Sequence, residues 1–306
     1  LWLGACVSGP KILPSLMPQR GMVSEYELRE TPFFPQEKFQ CGPASMATLL
    51  KASGVEVSSG ELTGKIFLPG RKGSLQVELL AVARRYGRLP YVIDPDPGAM
   101  LEELLAGRPV LVLQNLAFSF WPAWHYAVVV GFDPAADVLI LRSGKEPRKK
   151  ISTRKFLAAW KKADSWGLVL LKPGELPARS DHDRYVEALA EIPASGFLAL
   201  QVAGYETVVK RWPDSAAGFL GLGNAWFAAG KPEKAIAVYR QFLLAHPNQL
   251  VVRNNLAEVL GHTGNYAEAL AEIDKTLELA GEKDPFYPVY SRTREEIRRR
   301  MNQSQP

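Results

Sequence analysis

Four short apolar runs dominate the middle of the chain: PVLVLQ at 109–114, HYAVVVGF at 125–132, VLILR at 138–142 and GLVLL at 167–171. Each is rich in β-branched residues or Leu and is bounded by Gly, Pro or Asp, the pattern of strands buried in a sheet. The PAAD segment at 134–137 joins the second run to the third as a hairpin. Helical patterning comes earlier, after Cys41, over 75–86 and near 100–105. Residues 32–172 therefore read as an α+β domain. No Asp, Glu, Lys or Arg occurs over 109–132, but Gln114, Asn115, Ser119, Pro122 and His125 lie inside that stretch, so it predicts buried strands and not a membrane span. The Pro, Gly and charged residues of 173–181 mark a linker.

Beyond the linker, over 182–302, the pattern changes to Ala- and Leu-rich helical periodicity with an internal repeat. Gly230 and Gly264, Ala235 and Ala269, and Pro213 and Pro247 are each 34 residues apart, the period of tetratricopeptide repeats. The central copy resembles that family most fully, with Phe219, Leu222, Gly223, Trp226, Ala235, Tyr239 and Pro247 at the offsets of its motif. A second copy at 256–279 keeps Leu256, Gly264 and Ala269 but has Ala257 and Leu260 at the Gly and Tyr places, and a degenerate half-copy ends at Trp212 and Pro213. The resemblance implies an all-α solenoid whose groove takes a protein partner. SRTREEIRRR at 291–300 reads as its polar capping helix, and His182, His246 and His262 read as surface or packing residues.

Composition narrows the class further. A length of 306 residues gives two domains at about 150 residues each, and 47% hydrophobic with 23% charged residues describes a globular chain. Lys and Arg outnumber Asp and Glu by 37 to 32, a net charge of +5 that permits an anionic membrane or nucleic acid without demanding either. The dense basic group Arg142, Lys145, Arg148, Lys149, Lys150, Arg154, Lys155, Lys161 and Lys162 reads as a solvated loop and helix face that could meet anionic lipid. No nucleic-acid motif accompanies it, so nucleic acid is not an expected partner. Two cysteines make neither a disulfide framework nor a zinc site. No phosphate-binding or dinucleotide glycine motif is present, so neither metal nor cofactor is expected.

The candidate chemistry lies at Cys41 and His125. In FQCGPASMATLL, Pro43 suits the first turn of a helix, which places the Cys41 sulfur at a helix N-terminus, where the dipole favours a thiolate. The alternative is a small buried hydrophobe opening a helix. His125 opens an apolar strand beside Trp121 and Trp124. A single thiol on a helix start with a downstream strand His is the arrangement of thiol hydrolases, in which the imidazole accepts the thiol proton.

The segments PQEKFQCGPASMATLL and HYAVVVGFD resemble the bacteriocin-processing, double-glycine peptidase family and its papain-like relatives. The resemblance covers 32–172. It implies a papain-like fold, Cys41 as nucleophile, His125 as base, and an oxyanion hole from the Cys41 backbone N–H with an upstream Gln. Gln36 is assigned that place, five residues before Cys41 where the family more often has six, with Gln40 as the alternative. The family's Asp or Asn on the strand after the His strand is missing, because that strand reads VLILRSG. A hairpin centred on residue 135 sets Ala127 opposite Ser143, which puts Ser143 on the face of His125 and turns Arg142 away. Asp133 and Asp137 belong to the far turn, about 26 Å from His125 at about 3.3 Å per residue. Asn115 is a second candidate to orient the ring.

Leu3, Gly4, Ala5 and Cys6 resemble a bacterial lipobox, with Cys6 as the lipidated residue. It implies a signal-peptide end at 1–6, a tether over 7–31 with Pro10, Pro14 and Pro18, and anchoring to an extracytoplasmic membrane face. Val7 after Cys6 selects, by that family's sorting rule, the periplasmic side of the outer membrane. The sequence thus reads as a membrane-anchored thiol peptidase cleaving a peptide or isopeptide bond, with a repeat module for recruitment. The alternative is a binding or assembly lipoprotein whose peptidase domain has lost turnover.

Overall fold

The apolar runs of the first half pair into one antiparallel sheet. The computed structural model describes residues 10–16, 25–37, 39–71, 73–193 and 196–304, so Cys6 and the lipobox lie outside the described residues. The chain divides into two units: residues to Lys172 with Leu176–Ser180, and Pro173–Glu175 with the chain from Asp181 onward.

In order, the first unit carries α1 (Leu13–Leu16), β1 (Tyr26–Glu27), α2 (Cys41–Ala52), α3 (Ser59–Ile66), α4 (Gln76–Arg85), β2 (Leu89–Val92), α5 (Pro97–Leu105), β3 (Val110–Asn115), β4 (Trp124–Asp133), β5 (Val138–Ser143), β6 (Glu146–Ser152), α6 (Thr153–Lys161) and β7 (Gly167–Leu171). The strands run β2-β7-β3-β4-β5-β6, with β1 added to β4. Side chains alternate across a strand, so Tyr126, Val128 and Val130 of β4 share one face. That face packs on α2, whose positions 42–50 are all buried. Leu62, Ile66, Leu79, Val82, Leu111, Ile140 and Leu168 complete this core.

Several elements depart from the sequence reading, each for a physical reason. α3 has two glycines that blur its period, but it starts on a cap, Ser58 Oγ accepting the Glu61 N–H. β2 contains Pro90 and ends the sheet on one side, where a missing N–H is tolerated. The basic stretch 146–152, expected as a solvated loop, is the opposite edge strand β6; charged side chains on an edge deter pairing with other chains. Arg142, grouped with those surface bases, is instead buried. It donates to Glu27, to the carbonyls of Thr31 and Arg29, and to Pro147 O at 2.7 Å. The stretch 7–31, expected as a tether, is docked where it is described. Leu13 is buried, the Ile12 and Leu13 N–H groups donate to Asp137, and β1 pairs with β4.

The second unit consists of α7 (His182–Ala190), α8 (Leu198–Arg211), α9 (Ala216–Ala228), α10 (Pro232–Ala245), α11 (Leu250–His262), α12 (Tyr266–Ala280) and α13 (Tyr287–Gln303). The α9–α10 and α11–α12 hairpins turn at Gly230 and Gly264, with φ of 70° and 82°, so both repeat copies use glycine to enter the left-handed region. Gly223 lets α10 approach α9, since a Cβ there would stand 2.2 Å from the Tyr239 ring. α13 caps the array, burying Tyr290 and Ile297 and leaving most of its charges in water. No helix among the described residues is long and apolar enough to cross a membrane.

Candidate active site

Cys41 begins α2 and is half-buried. The next residue explains the local packing: a Cβ on Gly42 would lie 2.4 Å from Ser74 Oγ, so only glycine lets the 73–75 segment close over the helix start. The Cys41 sulfur faces backbone hydrogen bonds from Tyr126, Gly42 and its own residue. Burial outweighs them and pushes the thiol above its ordinary value. The expected resting thiolate is therefore not what the site holds, because desolvation disfavours charge more than the helix start favours it.

His125 projects from β4 on the face opposite Tyr126. Its Nε2 is 2.9 Å from Ser143 Oγ. Burial, with the nearby Lys149 charge, pushes the ring down to about 4, so the imidazole is neutral at ordinary pH. Among the described residues no hydrogen bond joins the ring to the thiol; the sulfur instead meets the main chain one residue further along β4.

The route by which Ser143 reaches His125 differs from the sequence reading. The turn pairs Asp133 with Val138, which by itself would carry Ser143 to the face of Val128. A bulge between Val129 and Gly131 shifts the register, so that Val128 pairs with Arg142 and Ser143 comes to the His125 face. Asp133 and Asp137 close the far turn, accepting from Ala136 and from Ile12 and Leu13.

Gln36 reaches the site as a brace. Its Nε2 donates to Ser45 Oγ at 3.2 Å and to the Tyr126 carbonyl at 3.3 Å, while its Oε1 accepts the Gly144 N–H at 3.0 Å. Its own N–H donates to the Gly144 carbonyl at 2.9 Å. One side chain thus ties α2, the residue after His125 and the residue after Ser143. Gln40, at the N-cap of α2, makes no side-chain cap bond. Asn115 is buried but committed elsewhere: its Oδ1 accepts from Ala117 and Ala123, so it staples the β3–β4 loop and does not orient the ring. Gln114 was not singled out from the sequence. It lies opposite His125 on β3, buried, with Nε2 unpartnered; its signal is one of two adjacent amides closing an otherwise apolar run.

Residues 28–167 match the family model described as the Peptidase C39 like family. That match falls within the first unit, whose antiparallel sheet and helices are thus similar to those of C39-like peptidases. Residues 226–285, within the helical second unit, match the tetratricopeptide repeat model. Similar solved structures include a C39-like peptidase from Bacillus anthracis, 18% identical, with TM-score 0.41, covering 52% of this chain and 100% of that one. Another is the peptidase domain of Streptococcus ComA, 20% identical, TM-score 0.38, covering 47% and 99%. A double-glycine-motif protease in complex with its leader peptide is 18% identical, TM-score 0.36, covering 48% and 97%. No curated protein matches the chain.

Proposed function

We propose that the C39-like domain is a thiol peptidase that cleaves a peptide or isopeptide bond through an acyl-thioester on Cys41, and that the repeats recruit a protein partner or the substrate. The bond between His125 Nε2 and Ser143 Oγ carries this reading. With the Nε2 proton donated to Ser143, Nδ1 is left as proton acceptor. In the reaction Nδ1 takes the thiol proton as Sγ adds to the scissile carbonyl carbon. The C–N bond then breaks, and the imidazolium returns the proton to the leaving amine. Water, deprotonated by the same ring, hydrolyses the thioester and restores the thiol. The Cys41 N–H supports the oxyanion. Gln36 can add a second donor only by releasing one of its two acceptors, whereas Gln40 carries no such commitment. Ser143 holds the ring without adding charge.

Cys6 is proposed as a lipid anchor that holds the domain on the periplasmic side of the outer membrane. The second reading, a binding lipoprotein without turnover, is favoured by one observation: among the described residues the His125 ring bonds the neutral Ser143 hydroxyl and no carboxylate, in surroundings whose burial disfavours charge on thiol and imidazole alike. Acid-quenched mixtures of the full chain with a peptide library distinguish the two. Peptidase action leaves an acyl mass on the Cys41 peptide that is absent from Cys41→Ala and His125→Ala. Absence of both adduct and cleavage products selects the binding reading.

A further inference from the structure

The loop between β3 and β4 turns large apolar side chains to water. Phe118, Phe120 and Trp121 are 67%, 84% and 77% exposed, and Leu116 and Trp124 are more than half exposed. The backbone beneath them is well tied. Leu116 N–H donates to Ala123 O at 3.0 Å, Trp121 N–H donates to Phe118 O at 3.1 Å, and Asn115 holds both ends. The Phe118 and Phe120 rings stack with centroids 5.4 Å apart. A braced turn whose tip is its most exposed aromatic is shaped to enter a soft apolar layer; a contiguous exposed patch of this kind marks an interaction surface.

Charge beside the loop identifies the layer. α6 buries Thr153, Phe156 and Trp160 and exposes Arg154, Lys155 and Lys161, with Lys162 following. These bases fall at i, i+1, i+7 and i+8, one helix face. Lys162 Nζ donates to the Ala117 carbonyl at 2.8 Å, which sets the end of that face against the aromatic loop. α6 contains no acid, and among the described residues none of the four bases is ion-paired; exposed Asp164 is the nearest acid along the chain. Exposed Phe and Trp beside unneutralised Lys and Arg are the chemistry of the interface of an anionic bilayer.

We propose that the 116–124 loop and the basic face of α6 form a membrane-docking surface, with the aromatic tip inserted among anionic headgroups and the His125 end of the sheet laid on the lipid. It operates independently of acylation at Cys6 and of turnover at Cys41. The test is sedimentation of the full chain carrying Cys6→Ser with phosphatidylcholine vesicles and with vesicles that also contain phosphatidylglycerol. The protein sediments with the anionic vesicles, less as salt rises. Phe120→Ser with Trp121→Ser weakens partitioning by about tenfold or more; Lys161→Gln and Lys162→Gln each weaken it by about fivefold. Cys41→Ala leaves it unchanged. Failure of the Cys6→Ser chain to bind anionic vesicles overturns the proposal, as does unaltered binding by the aromatic double variant. If that variant binds lipid normally but loses acyl capture from peptides, the loop is a substrate surface instead.

Discussion

His125 can serve as a base only while its ring is neutral, and burial with Lys149 keeps it so down to about pH 4. The acid limb of kcat/KM therefore falls near pH 4. Ser143→Asp places an anion against Nε2, favours the protonated ring and moves that limb upward. Lys149→Gln moves it the same way by removing a cation, and pH–rate profiles read both shifts. Ser143→Ala, which removes one neutral hydrogen bond, costs about 0.5–1.5 kcal/mol, up to roughly tenfold in rate. The same depressed value acts on folding. The unfolded ring binds its proton near pH 6.5 and the folded ring only near 4, so stability is fully present above 6.5 and falls by on the order of 3 kcal/mol towards pH 4. Gln36→Ala strips partners from Gly144, Ser45 and Tyr126 and lowers stability by about 1–3 kcal/mol in urea unfolding. Gln40→Ala leaves that midpoint in place; a fall in its kcat would identify the oxyanion donor.

Elements here owe their positions to a few long-range polar ties as well as to apolar packing. Arg142 on β5 links β1, the segment after it and the start of β6, and the Glu27 side chain beneath it is 4% exposed. Although burial works against it, hydrogen bonds from Arg148 and Arg142 hold the Glu27 carboxyl below its ordinary value. Arg142→Met removes one of those cations and orphans three carbonyls, a loss of about 3–5 kcal/mol in urea unfolding. The strands at 109–114, 125–132, 138–142 and 167–171 were legible because burial on both faces makes a strand uniformly apolar. β6 was not, since an edge strand with a solvated face carries Arg and Lys like a loop. α3 was not legible either, because glycines at positions 60 and 64 dilute its apolar stripe.

Across the whole chain, the two units rest on separate cores. Gly223→Ala forces a methyl against the Tyr239 ring and destabilises the repeat unit by about 1–3 kcal/mol. Acyl capture at Cys41 stays unchanged, so thermal unfolding and mass spectrometry of the same variant report the two units separately. The amino-acid order by itself determined what depends on period and local chemistry. That includes the division into an α+β part and a helical array, the 34-residue spacing of Gly230 and Gly264, the start of a helix at Cys41, and the strand that carries His125. Tertiary structure decided the rest. The bulge at Val129–Gly131 chose the face of Ser143, Gln36 became a three-way brace, and the thiol and imidazole settled uncharged. Each of these depends on which distant groups meet and how much water they exclude, and no local pattern encodes either.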